Sequence, residues 1–217
     1  MNYSHVLWDF NGTILDDIEA VISSEDVLLK RRNMPLIQGT KHYRDIFCFP
    51  IIEYYKKLGH DFEKEDFDII AHEWIEQYLI FSKSSKLNQG ILEAFQKIKA
   101  KGIKQLILSA TEKRILKKQV QELQIESYFD DILGINNIYA SSKVEIAIEW
   151  FENENPQKAI LIGDTTHDFE VAEAIGIDCA LVSSGHQSRE RLIGCGVPVF
   201  ENIMEFMDYS FNKDLSL

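Results

Sequence analysis

The sequence predicts an α/β fold with a doubly wound parallel sheet, and three short, mainly apolar runs carry that prediction. They are His5–Trp8, Gln105–Leu108 and Ala159–Ile162. Helical patterns separate these runs, as is typical of strands buried on both faces of a parallel sheet. The runs lead directly into Asp9, Ser109 and Gly163-Asp164. Because ligands bind beyond the carboxyl ends of such strands, these residues are expected to meet at one edge of the sheet.

A long helical segment follows the first strand. Apolar residues at helical spacing predict helices over about 19–31, 47–58 and 64–81, and no strand pattern interrupts them. This predicts a helical cap at 17–85, inserted into a core formed by 1–16 and 86–217, with the chain crossing near Asp16-Asp17 and at 83–86.

Strands and helices alternate in the rest of the chain, which predicts the parallel sheet with helices on its faces. The predicted helices are 91–100, 112–123, 144–151 and 169–174. The predicted strands are 104–108, 132–133, 159–162, 179–182 and 197–199.

The composition limits the classes of function. The 217 residues carry a formal net charge of −12, spread along the chain, which argues against nucleic-acid binding. Three cysteines without a CxxC spacing indicate reduced thiols rather than disulfides or a zinc site. With neither a signal-peptide pattern nor a long apolar run, we expect a cytoplasmic protein without a membrane partner. The oligomeric state is not indicated.

Asp9 is the first candidate for chemistry. Asn11-Gly12-Thr13 follows it, and Asn-Gly alone would suit a hairpin turn. The helical pattern that comes next argues against a hairpin. A carboxylate held at the end of a buried strand can act as a covalent nucleophile or as a ligand for a hard metal ion.

Asp164 and Asp168 are the second candidates. Thr165 and Asp168 could simply cap the helix that begins here. Capping does not account for two acids flanking a helix start directly beyond a buried strand. Convergence of both with Asp9 would instead form a Mg²⁺ site.

Ser109 and Lys143 are open to two interpretations each. Ser109 could cap the helix predicted at 112–123 or bind phosphate at the start of that helix, and the two roles are compatible. Lys143 follows Ser141-Ser142 and could be a solvated surface residue. A cation at a helix N-terminus is slightly unfavourable, which hints at a functional role.

Together these motifs resemble the haloacid dehalogenase superfamily, and within it the phosphoglycolate phosphatase-like hydrolases. The resemblance rests on four ordered motifs: Asp9 to Thr13, Ser109, Lys143, and Gly163-Asp164 with Asp168. It implies that Asp9 attacks phosphorus and forms an aspartyl-phosphate. It also implies that Mg²⁺ binds Asp9, the backbone carbonyl of Asn11, and Asp164, assisted by Asp168. The phosphoryl group would be held by Gly12, Thr13, Ser109, Ala110 and Lys143.

Asn11 departs from the pattern of that family, whose phosphatases usually carry a general acid/base Asp at this position. Loss of such catalysis typically costs ~10²–10⁴-fold in rate. Three explanations are open: a substrate with a good leaving group, another proton donor such as His167 or His186, or a protein that binds phosphorylated ligands with little turnover. A haloacid dehalogenase also lacks the second Asp but needs no metal, and Asp164 and Asp168 argue against it.

The sequence does not identify the substrate, a small phosphorylated metabolite on this interpretation. The aromatic residues of the cap are expected to pack its helices rather than to form a binding site, and Arg44 is expected at the surface. The loop 184–189 follows a strand at the same sheet edge and could meet the substrate or merely cap a short helix.

Overall fold

The computed structural model describes residues 1–139 and 142–212, and Ala140, Ser141 and the last five residues lie outside this part. The strands are β1 (His5–Trp8), β2 (Leu15–Asp16), β3 (Lys86–Leu87), β4 (Lys104–Glu112), β5 (Asp131–Ile135), β6 (Ala159–Gly163), β7 (Asp178–Val182) and β8 (Val199–Phe200). The helices are α1 (Ile18–Arg31), α2 (Gly39–Ile46), α3 (Ile51–Leu58), α4 (Phe67–Phe81), α5 (Ile91–Ala100), α6 (Lys113–Glu122), α7 (Val144–Glu154), α8 (Thr166–Ile175), α9 (Arg189–Ile193) and α10 (Ile203–Asn212).

Six strands form a parallel sheet in the order β5-β4-β1-β6-β7-β8, which confirms the predicted fold class. β1 lies at its centre, with Leu7 opposite Leu106 of β4 and Leu161 of β6. The three strands that carry the candidate residues are therefore neighbours. Asp9 and Asp164 directly follow β1 and β6, and Ser109 lies in β4 beside β1, near the same edge.

The alternation of side chains along β1 divides the core into two layers, one on each face of the sheet. Val6 and Trp8 pack in a cluster with residues of α5, α6 and α10. Leu7 packs on the opposite face with residues of α7, α8 and α9. Burial on both faces explains why the strand has no polar alternation in the sequence.

The helices α1 to α4 have a hydrophobic core of their own, which is rich in aromatic rings. α1 packs along α4, and Tyr43, Tyr54 and Tyr78 are almost fully buried. The division into a cap at 17–85 and a core remains a prediction. Within the described residues, no helix is long and apolar enough to cross a membrane.

Two details of the predicted helical segment are wrong. Leu15-Asp16 is a strand that pairs antiparallel with Lys86-Leu87, so the two predicted crossings form a small sheet. A two-residue strand is too short to produce a readable pattern. Helix α3 begins at Ile51 rather than at 47, with Pro50 before its first residue, because proline lacks the amide hydrogen that a helix interior requires.

The strand β4 and the helix after it also differ from the prediction. β4 continues beyond 108 to Glu112 through a bulge between Ser109 and Glu112. Glu112 caps α6, since its carboxylate accepts a hydrogen bond from the Ile115 amide at 3.1 Å. Ser109 accepts the Thr111 amide at 3.1 Å and so organises the bulge rather than the helix start.

Candidate active site

Asp9 and Lys143 form a buried ion pair at the centre of the sheet edge. Lys143 Nζ lies 2.5 Å from Asp9 Oδ1, and it also donates to the Leu108 carbonyl at 2.9 Å. Lys143 is only 2 % exposed, so the surface interpretation of this residue is wrong. The carboxylates of Asp9 and Asp168 raise the pKa of Lys143 against the opposing effect of burial, and the ammonium is therefore retained.

Asp164 follows β6 and is fully buried. Its Oδ1 accepts a hydrogen bond from the Thr13 hydroxyl at 2.8 Å, and its Oδ2 accepts the His186 amide at 2.6 Å. Burial, which outweighs the attraction of His186, raises the pKa of Asp164 to about 6. Burial is also the main cause of the raised pKa of Asp9, with further contributions from Asp168 and Asp164.

Asp168 holds the segment that carries Asp164. Its Oδ2 accepts hydrogen bonds from the amides of Asp164 and Thr165, at 3.1 and 2.9 Å, and from the Thr165 hydroxyl at 2.7 Å. Its Oδ1 lies 2.6 Å from Lys143 Nζ. Asp168 therefore caps α8 as one interpretation predicted, but only through Oδ2, because Oδ1 pairs with Lys143.

The residues present fit a divalent cation. Asp9, Asp164 and Asp168 offer carboxylate oxygens that lie within 4.8 Å of one another. Lys143 is a single ammonium among three buried acids, and burial, together with repulsion from the neighbouring carboxylates, raises the pKa values of Asp9 and Asp164. Hard oxygen ligands of this kind suit Mg²⁺. Asp168 has three hydrogen bonds and an ion pair already, so Asp9 and Asp164 are the better direct ligands.

Gly12 brings the turn after Asp9 close to these acids. Its φ of +77° lies in the left-handed region, which favours glycine. A side chain here would collide with the Asp164 carboxylate and the His186 ring. Asn88 secures the same turn by donating to the carbonyls of Gly12 and Thr13, at 2.9 and 3.0 Å.

Asn11 has a complete set of partners as an amide. Its Nδ2 donates to Asp17 Oδ2 and to the Tyr78 hydroxyl, each at 2.7 Å, and its Oδ1 accepts the Thr111 hydroxyl at 2.7 Å. Asp17 precedes α1 but does not cap that helix. Its carboxylate instead receives the Gly12 amide at 3.0 Å and the Tyr78 hydroxyl at 2.7 Å. An amide at position 11 thus donates a hydrogen bond to the acid at position 17, which an Asp at position 11 could not do when ionised. No motif in the sequence marks Asp17 as part of this site.

The two histidines suggested as proton donors are both engaged. His186 is buried, with Nε2 3.2 Å from Asp17 Oδ1 and Nδ1 2.8 Å from the Tyr43 hydroxyl. Asp17 is the main cause of the rise in its pKa to about 9, which occurs despite burial. His167 lies 3.2 Å from Glu170, is contacted by the Lys143 amide, and stacks on Phe49. Burial and the nearby Lys143 lower its pKa.

The loop 184–189 ties the core to the helical segment. Arg44 of α2 donates to the carbonyls of Gly185 and Ser184, at 2.7 and 2.5 Å, so it is neither an exposed surface residue nor a free anion contact. Gln187 donates to the Phe47 carbonyl at 3.3 Å, and Arg191 bonds the same atom. These contacts hold α2 over the catalytic edge.

A chamber of about 130 Å³ opens from the acidic cluster into the helical segment. Asp9, Asn11, Ser109, Ala110 and Lys143 line its inner end. The rest of the lining is mainly aromatic and extends to the outer end, and it comprises Phe47, Phe49, Tyr54, Tyr55, Phe67, Trp74, Tyr78 and Tyr139. The expectation that the cap aromatics only pack helices is thus incomplete, because many of them also line this space.

Comparison with known proteins agrees with this arrangement. The family described as haloacid dehalogenase-like hydrolase matches residues 6–182. A phosphoglycolate phosphatase of Aquifex aeolicus is 25% identical over 187 residues, covering 83% of this chain and 85% of that protein. A solved haloacid dehalogenase-like hydrolase of Streptococcus pneumoniae superposes with a TM-score of 0.72 at 18% identity, covering 95% and 98% of the two chains. The Protein Tyrosine Kinase A of Mycobacterium tuberculosis superposes with a TM-score of 0.79 at 20% identity, covering 99% of each chain.

Proposed function

This chain belongs to the haloacid dehalogenase-like hydrolases, and from that premise we propose that it is a Mg²⁺-dependent phosphatase of small phosphorylated metabolites. One observation carries the proposal. Asp9 lies at the inner end of a chamber, beside the buried ammonium of Lys143 and close to a second buried carboxylate, that of Asp164. Similarity to a phosphoglycolate phosphatase supports phosphate esters as the substrate class.

Asp9 acts as the nucleophile in the proposed reaction. One carboxylate oxygen forms a bond to phosphorus while the bond from phosphorus to the leaving oxygen breaks. Water then attacks the aspartyl-phosphate and releases phosphate and the free carboxylate. Lys143 keeps Asp9 ionised and oriented before attack, because its ammonium contacts Asp9 and is itself fixed by Asp168 and the Leu108 carbonyl.

The phosphoryl group is held by the loops around Asp9. Ser109 and Ala110 line the chamber at the β4 bulge, and Gly12 and Thr13 belong to the turn after Asp9, beside Asp164. Asp9, Asp164 and the Asn11 carbonyl would hold Mg²⁺, with Asp168 positioning Asp164. When bound, the ion supplies positive charge that screens the phosphoryl oxygens from the carboxylates.

The amide of Asn11 cannot transfer a proton, and both candidate histidines already have partners at their ring nitrogens. Of the three explanations, a leaving group that needs little protonation therefore has the most support. The second candidate function is a protein that binds phosphorylated ligands without turnover, which Asn11 favours. A cytoplasmic location, a small-molecule partner and the lack of nucleic-acid binding remain predictions.

Phosphate release from an aryl phosphate and from an alkyl phosphate, each with and without Mg²⁺, tests the proposal. We expect Mg²⁺-dependent release that strongly favours the aryl ester. Equal rates on the two esters would show that proton transfer to the leaving group does not limit the reaction. Folded protein that binds Mg²⁺ but releases no phosphate from either ester would favour the binding function instead.

A further inference from the structure

The outer end of the chamber contains a buried carboxyl group with one unpaired oxygen, although Tyr55 and Trp74 interact with that carboxyl. Glu25 of α1 is 1 % exposed, and its Oε2 makes no hydrogen bond within the described part of the chain. The buried Tyr54 hydroxyl also lacks a hydrogen-bond partner there. A buried polar group left unpaired is costly, so these two groups around one cavity indicate a place for a polar ligand group.

Glu25 belongs to a line of residues that leads outward from the phosphate site. Asp17, directly before α1, and Val21 and Glu25 within it are spaced four residues apart, and all three line the chamber. On α4, Tyr78, Trp74 and Phe67 line it from the other side. Eight residues of helix separate Asp17 from Glu25, which corresponds to ~12 Å along the axis. A ligand that reaches both ends must be elongated.

The walls between these ends suit an aromatic ring. They are formed largely by aromatic side chains, with Trp74 stacked on Tyr78 at a centroid distance of 4.9 Å. An apolar cavity of about 150 Å³ holds a benzene molecule, and this chamber measures about 130 Å³. The lining is therefore compatible with one ring in both size and polarity.

The charge of the chamber selects against an acidic substrate. Among the described residues that line it, the cations are Lys143, which is committed to Asp9 and Asp168, and His186, which is paired with Asp17. Glu25 offers a carboxylate no positive charge, whereas it would pair with an ammonium, which aromatic faces also attract. Burial raises the pKa of Glu25 well above its usual range, and Asp26 adds to this rise. An ammonium ligand would offset that cost.

Asn11 points to the same kind of substrate. A phenol, with a pKa near that of tyrosine at about 10, leaves far more readily than an aliphatic alcohol, whose acidity is close to that of water at ~15.7. An aryl ester therefore needs little help from a general acid, which Asn11 does not supply. The bond from phosphorus to the phenolic oxygen breaks, and the phenolate departs with the electron pair and takes its proton from water.

We propose that the substrate is the phosphate ester of a phenol that carries an ammonium group, with the ring between α1 and α4 and the ammonium at Glu25. This inference rests on the proposed phosphatase function and adds to it the identity of the leaving group. It assigns Glu25 as the residue that determines specificity, a role independent of the metal and of the nucleophile.

The test compares three aryl phosphates that differ at one end. They are 4-(2-aminoethyl)phenyl phosphate, 4-ethylphenyl phosphate and 4-(2-carboxyethyl)phenyl phosphate. We expect kcat/KM to fall in that order, by about tenfold or more at each step. Glu25→Gln should lower kcat/KM for the ammonium ester by tenfold or more while changing the neutral ester less than threefold. Glu76→Gln, at an exposed position on α4, is the matched control and should change none of them.

Two results would overturn the inference while the phosphatase function stands: equal kcat/KM for the ammonium and neutral esters, or an equal loss on both in Glu25→Gln. If none of the three esters is hydrolysed, the proposed function fails and the chamber is tested by calorimetry. Tyramine that binds the wild type more tightly than 4-ethylphenol does, with the difference lost in Glu25→Gln, would support the ammonium site. Binding without that difference would overturn it.

Discussion

The two ends of the chamber treat buried charge in opposite ways. At the inner end, Asp9 and Asp168 share the Lys143 ammonium, and Asp164 accepts two hydrogen bonds. At the outer end, Glu25 keeps an oxygen without a hydrogen bond. The chain thus satisfies most of the polar groups that we assign to phosphate chemistry, and it leaves unsatisfied the group that we assign to recognition. An unpaired group can discriminate between ligands because only a complementary ligand removes its cost.

Replacement of the nucleophile should have the largest effect. Asp9→Asn should reduce Mg²⁺-dependent phosphate release by ~10⁴-fold or more, since no other group replaces the attacking carboxylate. The midpoint of thermal unfolding should change little, because the amide relieves repulsion from Asp164 and Asp168 while it weakens the pair with Lys143. Asp16→Asn, at an exposed position nearby, is the control and should retain activity. Substantial turnover by Asp9→Asn would refute its assigned role.

Loss of the ammonium at the inner end should be the largest effect on stability. Lys143→Met leaves Asp9 and Asp168 as buried acids without their cation, which costs ~3–5 kcal/mol of unfolding free energy. Chemical denaturation at neutral pH measures it, and Mg²⁺ should restore part of the loss. Lys158→Met removes an exposed lysine 3.5 Å from Asp178 and should cost less than about 1 kcal/mol. Equal losses in the two variants would contradict the role of Lys143 as the counterion of the cluster.

The pair of Asn11 and Asp17 lies between the two ends and allows an exchange of roles. Asn11→Asp alone places a carboxylate against that of Asp17, in contact with the atom that now receives the amide, and should cost ~1–3 kcal/mol. The double variant Asn11→Asp with Asp17→Asn again pairs an amide with an acid and should recover part of that stability, because His186 loses its ion pair with Asp17.

The same double variant tests proton transfer. If the missing acid limits turnover on alkyl phosphates, the double variant should accelerate it by up to ~10²-fold, with less change on aryl phosphates. If the double variant is no more stable than Asn11→Asp alone, the contact between positions 11 and 17 does not explain why position 11 is Asn rather than Asp.

The inner end could be predicted from the sequence far better than the outer end, for a physical reason. Asp9 and Asp164 follow buried strands and Ser109 lies where the apolar run of a third strand ends, and a parallel sheet brings such positions together at one edge. Asp17 precedes α1 and Glu25 lies within it, and their spacing does not reveal that this face borders a cavity. The aromatic residues of α3 and α4 likewise resemble ordinary core in the sequence, since packing and lining use the same side chains.

The smallest expected effect is the pH dependence of the unfolding free energy that Glu25 contributes at the outer end. The folded-state pKa of Glu25 is raised by burial and by Asp26, against the opposing effect of Tyr55 and Trp74, so the folded protein binds a proton that the unfolded chain releases. The contribution of that proton to stability is full below the unfolded pKa near 4.5 and is lost as the pH rises through the folded pKa.

Glu25→Gln cannot ionise, so its unfolding free energy should exceed that of the wild type by on the order of 1 kcal/mol at neutral pH and should equal it at pH 4. Urea denaturation of both proteins across this range measures the difference, with Glu76→Gln expected to follow the wild type. A constant difference at every pH would mean that folding does not change the protonation of Glu25, and that burial in the chamber imposes no cost on its charge for an ammonium ligand to offset.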